Sequence, residues 1–177
     1  MKCAKTMKCA KTMVAWGVGM LMVGLSACSN IDCPLDNVVS LQCNLYDAST
    51  QSALTLSDVL SVTPAGRDTL LLNQATGIKS FLLPLKEAGT QDTLLLHFAN
   101  AQGSVQVDTL FVNHTPQPHF ESLDCPSSVF HTLNAVRVSA QGSTNSAIVD
   151  SVSLVRPIVN YDDIENIRLF IRTSAAK

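Results

Sequence analysis

The sequence TLLLHF at residues 93–98 places a large apolar side chain at every second position, Leu94, Leu96 and Phe98. Side chains two residues apart lie on the same face of a β-strand, whereas a helix would spread them around its axis. The sequence IRLFIR at residues 167–172 alternates with the same period. Both segments therefore predict β-strands, each with one face in a hydrophobic core.

Seven more segments rich in Val, Leu, Ile and Thr are separated by clusters of Gly, Pro, Asn and Asp. Short strands at this spacing, with no long helices between them, predict an antiparallel β-sandwich, immunoglobulin-like or related, of about nine strands. An up-and-down barrel is the alternative. The predicted strands are 38–46, 59–63, 69–73, 80–83, 93–98, 105–113, 129–139, 147–155 and 167–172.

Three local features predict departures from regular strands. In the sixth strand the apolar alternation changes phase at Asp108, which favours a bulge or a strand break there. The proline-containing stretch 115–118 favours a loop, with His114 and His119 as solvated residues beside it. The acidic residues near the start of 161–166 favour one helical turn.

Residues 1–27 have the composition of an export signal. Residues 1–12 contain four lysines and no acid, and residues 13–25 are an uncharged apolar run. That run has the length of a signal-peptide core and is shorter than the roughly 20 residues of a membrane-spanning helix. The first twelve residues are a tandem copy of MKCAKT, so the chain starts at Met1 or Met7.

The segment ends in Leu25-Ser26-Ala27-Cys28, which resembles the lipobox of bacterial lipoproteins. The resemblance implies cleavage before Cys28 and attachment of acyl chains to it; more than one chain is needed, since a single chain holds a protein only weakly at a membrane. An ordinary secretory signal with a coincidental cysteine and a short transmembrane helix are the alternatives. The predicted organisation is a signal peptide at 1–27, a lipidated tether at 28–36 and a β-sandwich domain at 37–177.

Charge and motif content exclude several functions. The signal takes four of the twelve basic residues and none of the fourteen acidic ones, so the mature chain has a formal charge of −6, which argues against nucleic acid as a partner. The sequence has no phosphate-binding loop, nucleophile elbow or zinc-protease motif, and Asp162, Asp163 and Glu165 lack the pattern of a calcium loop. We therefore predict no catalytic residue, no metal and no cofactor; a hydrolase with two carboxylates is the less favoured alternative.

Besides Cys28, the mature chain contains three cysteines, which leaves one without a partner. Cys43 has the spacing of an inward-facing strand residue, where cysteine acts as a small apolar side chain. Cys33 and Cys125 each precede a proline in a polar stretch. We therefore predict a Cys33–Cys125 disulfide, worth on the order of 4 kcal/mol for so long a loop.

The tripeptide Asp-Thr-Leu occurs three times, beginning at Asp68, Asp92 and Asp108, and 150–152 (DSV) is a close variant. It looks like the O-glycosylation acceptor motif of Bacteroidota envelope proteins. Turn chemistry is the alternative, because Asp closes a turn and Thr opens a strand. The candidate acceptors are Thr69, Thr93, Thr109 and Ser151.

Further motifs are spread over nearly the whole mature domain: LYD at 45–47, LPL at 83–85, FESLDC at 120–125, IVD at 148–150 and ENI at 165–167. Together with the two early cysteines of the mature chain, they resemble a family of small uncharacterised β-sandwich lipoproteins of Bacteroidota. The resemblance implies an outer-membrane location. The residue after Cys28 is serine rather than aspartate, which also looks like outer-membrane sorting. The tether lacks the acidic run of surface-exported lipoproteins, so we expect the periplasmic face rather than the cell surface.

We expect a non-catalytic docking or accessory module for an envelope protein, such as an outer-membrane β-barrel or its assembly machinery. A module that binds a glycan or small ligand is the alternative. Alternation in 167–171 buries the aliphatic residues and leaves Arg168, Phe170 and Arg172 on the other face, with the composition of an interface. Alternatively, Phe170 fills a second core layer.

Overall fold

The computed structural model describes residues 38–123, 125–141 and 148–172. The chain divides into two units, Met1–Cys33 and Pro34–Lys177, and all described residues belong to the second. Cys28, Cys33 and the predicted signal lie outside them. Within the described ranges, no helix has the length and apolar character needed to cross a membrane.

Ten β-strands make up the regular structure of the described residues. Four form one sheet in the order β4-β1-β10-β8, and six form the other in the order β3-β2-β5-β6-β7-β9. The predicted β-sandwich is confirmed, and the barrel alternative is wrong. The strands are β1 (Leu41–Asp47), β2 (Val59–Pro64), β3 (Leu72–Ala75), β4 (Ser80–Leu83), β5 (Gln91–Ala99), β6 (Val105–His119), β7 (Ser128–Gln141), β8 (Val149–Leu154), β9 (Ile158–Val159) and β10 (Ile167–Ile171).

Alternate residues of both sheets meet in one apolar core. The three apolar residues predicted to share a face in β5, and the three in β10, are at most 2% exposed. Full burial of such a side chain contributes about 1.5–3 kcal/mol. A slip of one residue would turn each set outward, so burial fixes the register of these strands.

One strand pair departs from the antiparallel pattern. β1 and β10, the first and last strands, are parallel neighbours, with Cys43 opposite Ile167 and Asp47 opposite Ile171. The other pairs within the two sheets are antiparallel. A parallel pair needs a long connection, and here the rest of the sandwich supplies it.

The predicted bulge at Asp108 is wrong. The register between β5 and β6 runs without a shift along all nine residues of β5. Asp108 takes an inward position at 2% exposure, where its Oδ2 accepts the backbone N–H groups of Ile148 (3.0 Å) and Val149 (2.6 Å). Asp108 thus occupies a core position, and the inward-facing and outward-facing positions of β6 continue to alternate through it. The register shift of β6 lies between Asn113 and His114.

The predicted loop at 115–118 is also wrong, because β6 continues through both prolines to His119. Beyond His114, whose N–H donates to the carbonyl of Thr90 at 2.9 Å, the strand pairs with β7 on one side only, since β5 begins opposite Asn113. Proline lacks an N–H group and is tolerated where a strand has a free side. Pro116 and Pro118 are two residues apart, so their nitrogens face the same side.

The predicted helical turn at 161–166 is wrong as well, because this segment contains no helix. Asn166 is buried, and its amide holds the connection from β8 to β10 extended. Nδ2 donates to the carbonyl groups of Arg156 (3.2 Å) and Ile158 (2.7 Å), and Oδ1 accepts the N–H of Gln42 in β1 (3.0 Å). These bonds replace the local bonds that a helical turn would make.

The described cysteines have different environments. Cys43 is a free thiol in the core, as predicted, and burial raises its pKa above the usual range. Cys125 lies in the connection between β6 and β7 and is not a free thiol. Its predicted partner, Cys33, lies outside the described residues, so this pairing stays a prediction.

Non-reducing peptide mapping of the mature protein should recover a peptide that joins Cys33 to Cys125. Cys43 should react with iodoacetamide only after unfolding, because its thiol is buried and protonated. A link between Cys33 and Cys43, or alkylation of Cys43 in the native protein, would contradict this assignment.

Candidate functional site

The outer face of the four-stranded sheet carries an ordered group of aromatic and charged side chains. Because β1 and β10 are adjacent and parallel, Asn44 lies opposite Arg168 and Tyr46 lies opposite Phe170. Their neighbours along each strand are buried in the core, so these four side chains face outward. We call Tyr46, Glu165, Arg168 and Phe170 the Tyr46–Phe170 face.

Glu165 fixes the geometry of this face. Its Oε1 accepts a hydrogen bond from Tyr46 Oη at 2.8 Å, and its Oε2 accepts from Arg168 Nε at 3.1 Å and Nη2 at 2.8 Å. The Arg168 guanidinium lies 5.0 Å from the centre of the Tyr46 ring. The Phe170 ring is tilted against Tyr46, with 5.9 Å between ring centres. The four side chains therefore restrict one another.

The charges on the face are set by the same bonds. The hydrogen bonds from Arg168 lower the pKa of Glu165, and the hydrogen bond to Glu165 raises the pKa of Tyr46. At neutral pH the cluster thus consists of a carboxylate, a guanidinium and a neutral phenol. A solvent-accessible ion pair contributes only about 0–1 kcal/mol to stability. The cluster orders the face more than it stabilises the fold.

The residues predicted as an interface are placed as follows. Phe170 is half-buried on the outer face and is not part of the core, and Arg168 lies in the same cluster. Arg172 follows the end of β10 and forms an ion pair with Asp150 at 2.8 Å. Sequence reasoning missed Tyr46 and Glu165, because only the pairing of β1 with β10 brings them to this face.

A second polar cluster is buried where β5, β6 and β7 meet. His114 is fully buried, so its interpretation as a solvated loop residue is wrong. Its Nε2 lies 2.9 Å from Asp92 Oδ2, and its Nδ1 lies 3.1 Å from His131 Nδ1. Asp92 also accepts the backbone N–H of Lys86 at 3.0 Å. The carboxylate of Asp92 can only accept, so His114 Nε2 donates to it, and one of the two Nδ1 atoms donates to the other.

This arrangement differs from that of a hydrolase. An Asp–His pair activates a hydroxyl or thiol that faces the second histidine nitrogen. In this cluster that nitrogen faces the imidazole of His131, which completes a structural link between three strands. Over the described part of the chain, no group of three or more His, Cys, Asp and Glu side chains is placed to hold a metal ion.

Two shallow pockets lie elsewhere on the domain. One has a volume of about 210 Å³ beside Leu56, Asp58 and Arg172, and the other has about 160 Å³ beside Arg67 and Asp92. Pockets that enclose small-molecule ligands usually measure about 300–1,000 Å³. Each of these two contains one carboxylate, so neither presents the pair that acid–base hydrolysis requires.

The four candidate acceptors of O-glycans differ in exposure. Thr69 and Ser151 are exposed, and Ser151 lies opposite Phe170. Thr93 is half-buried in β5. Thr109 is 3% exposed, so the folded domain does not present its hydroxyl. An enzyme acting on the folded domain would therefore reach Thr69 and Ser151.

The two sheets and the face they support define a small β-sandwich domain with an ordered aromatic surface. The chain matches the Family of unknown function (DUF6452) over residues 59–171, from the start of β2 to the end of β10, and it belongs to that family. No curated protein and no solved structure matches the chain.

The domain should lose stability as the pH falls from about 6.5 to about 4. Burial, and next the neighbouring His114, lower the pKa of His131 from 6.5 to about 4. Between these values the unfolded chain binds a proton that the folded domain excludes, so unfolding is favoured by up to roughly 3 kcal/mol. Urea titrations at several pH values measure this loss of stability.

The His131→Gln variant should lose less stability between these pH values. The control is His97→Gln, which changes a half-buried strand histidine bonded to Thr63 and should lose as much stability as the unmodified domain. Equal pH dependence in both variants would contradict the assignment.

Proposed function

We propose that this chain is a non-catalytic lipoprotein of Bacteroidota that docks on an envelope protein through the Tyr46–Phe170 face. The partner is an outer-membrane β-barrel or a component of its assembly machinery. The observation that carries the proposal is the fixed cluster of two aromatic rings and a guanidinium on an outward sheet face. Membership of a family of unknown function is compatible with it.

The composition of the face supports recognition of a protein. Tyr and Arg are among the residues that contribute most to binding at interfaces, and they act best in a ring of less critical contacts. Asn44, Ser151 and Ser153 flank the cluster on the neighbouring positions of the sheet. These short side chains leave the two rings and the guanidinium accessible to a partner.

The fixed geometry of the Tyr46–Phe170 face also supports the proposed docking function. Association costs about 0.5–1.5 kcal/mol for each flexible side chain that becomes fixed. Glu165 already fixes Tyr46 and Arg168 in the free domain. The Arg168 side chain is nevertheless 42% exposed, so it can contact a partner without leaving its carboxylate. Binding of a partner therefore costs little additional side-chain entropy at Tyr46 and Arg168.

The N-terminal motif supports the membrane part of the proposal. Leu25-Ser26-Ala27-Cys28 has the residues of a lipobox, and lipid on Cys28 would tether the domain to the outer membrane, on its periplasmic face. Tethering raises the local concentration of a membrane-bound partner, so a face of modest size suffices for binding. We also propose the Cys33–Cys125 disulfide, and Thr69 as a glycan acceptor, since a glycan on Ser151 would lie against Phe170 and cover the docking face.

Replacement of the lipidated residue should abolish anchoring. The Cys28→Ser variant should take up no labelled palmitate and should leave the membrane fraction, because no other cysteine of the chain is directly preceded by the residues of a lipobox. Cys43→Ser serves as the control and should incorporate palmitate normally, since that thiol lies in the core. Normal labelling of Cys28→Ser would end the lipoprotein interpretation.

A photo-reactive amino acid at Leu82 should capture the partner in native membranes. Leu82 is exposed and lies opposite Gln42, on the outer face of the same sheet. Phe170→Ser should abolish the crosslinked product, because it removes half of the aromatic pair. Its loss of stability should stay well below the roughly 3–5 kcal/mol of an emptied core Phe site.

Phe111→Ser is the matched control for this experiment. Phe111 is a half-buried ring on the outer face of the other sheet, with the Arg137 guanidinium 4.2 Å from its centre. This variant should keep the crosslinked product. A product that survives Phe170→Ser, or that both variants lose, would exclude the Tyr46–Phe170 face as the docking surface.

A further inference from the structure

Exposed apolar side chains are concentrated at one end of the sandwich. Among the residues that the structure describes, nine large hydrophobic side chains are exposed. Six of them lie where β1 and β10 begin and where β6 turns into β7, and we call this the chain-entry end. These six are Val38, Phe120, Leu123, Val155, Ile158 and Ile164.

Strand pairing places these six residues together. Val38 precedes β1 and Ile164 precedes β10, and these two strands are parallel and start side by side. Val155 and Ile158 lie in the connection that Asn166 holds beside the start of β1.

The connection between β6 and β7 lies at the same end. The strand β9 lies in the connection from β8 to β10, and its Ile158 pairs with Thr132 of β7. Three residues earlier in β7, Val129 pairs with Pro118 near the end of β6. Phe120 and Leu123 follow directly after the end of β6. All six exposed side chains therefore belong to this end.

A rigid aromatic base supports the most exposed members. The His119 ring stacks on Phe130 with 4.2 Å between ring centres, and Tyr161 meets Phe130 edge-on at 4.9 Å. Phe120 follows His119 directly and is 67% exposed, and Leu123 is fully exposed. The base orders the start of the connection, so these two side chains project from the domain into solvent.

We propose that the chain-entry end rests on the lipid surface to which Cys28 is attached, with Phe120 and Leu123 inserted among the headgroups. The inference rests on the lipid anchor of the proposed function and adds an orientation to it. Cys28 lies ten residues before Val38, and ten extended residues span at most about 36 Å, so this end lies within about 36 Å of a lipid attached to Cys28 and can reach the bilayer.

The charges at this end indicate the lipid chemistry. His119 pairs with Glu121 and Arg156 pairs with Asp162, while Asp163 adds a further negative charge. Attraction to anionic headgroups is therefore weak, and contact with a zwitterionic surface through apolar side chains is favoured. In this orientation the strands run away from the membrane surface. The Tyr46–Phe170 face is then roughly perpendicular to that surface and accessible to a neighbouring envelope protein.

Tryptophan fluorescence tests the orientation, because the single tryptophan of the chain, Trp16, lies in the predicted signal. The mature lipidated protein, which loses Trp16 when the signal is cleaved before Cys28, is reconstituted into phosphatidylcholine vesicles with or without brominated acyl chains. The Phe120→Trp variant should emit at shorter wavelength and be quenched by roughly half in brominated vesicles, since interfacial side chains lie about 5–10 Å deep.

Val105→Trp is the control, because Val105 is 58% exposed and begins β6 at the opposite end. It should show no quenching. A lipidated protein in which Phe120→Trp is unquenched, or in which both variants are quenched equally, would overturn the orientation and leave the docking function in place. A chain that carries no palmitate on Cys28 would overturn both.

Discussion

The amide of Asn166 is the interaction on which the architecture depends. Its three hydrogen bonds join the start of β1 to two carbonyl groups of the connection that leads into β10. Without the amide these partly buried backbone groups would lose their partners, and a net hydrogen bond of this kind contributes about 0.5–1.5 kcal/mol. The same bonds hold β1 beside β10 in register, which brings Tyr46 against Phe170 and places the segments before β1 and β10 side by side at the chain-entry end.

Regular alternation made much of the fold predictable. The period of two in β5 and β10 located the core, and the bounds of β4 were predicted as the structure has them. Errors arose where a residue's usual preference was overridden by its neighbours in space. Asp108 was read as a break because carboxylates rarely face a core, and Pro116 and Pro118 were read as a loop because proline rarely lies in a strand. β9 has two residues, too few to produce a pattern.

The candidate site was only partly visible in the sequence, for a similar reason. Arg168 and Phe170 share a strand, so local alternation revealed them. Tyr46 and Glu165 lie 119 residues apart in the chain and meet only through the parallel pairing of the first and last strands. Asp92 was read as turn chemistry, although it binds His114 in the interior. A single sequence contains the side chains of such clusters but not the register that assembles them.

Buried polar residues join the strands of the domain into a frame, whereas the outward-facing side chains form its free surfaces. Asp108 ties β6 to the start of β8 at one end, Asn166 fixes β1 and β10 at the other, and Asp92 with His114 links the strands between them. A buried carboxylate must keep its donors, because an unpaired charge in the interior costs several kcal/mol. These groups are therefore committed to the fold and are not available to a ligand. The proposed docking function therefore rests on the side chains that the frame turns outward, above all the ordered rings and guanidinium of the Tyr46–Phe170 face.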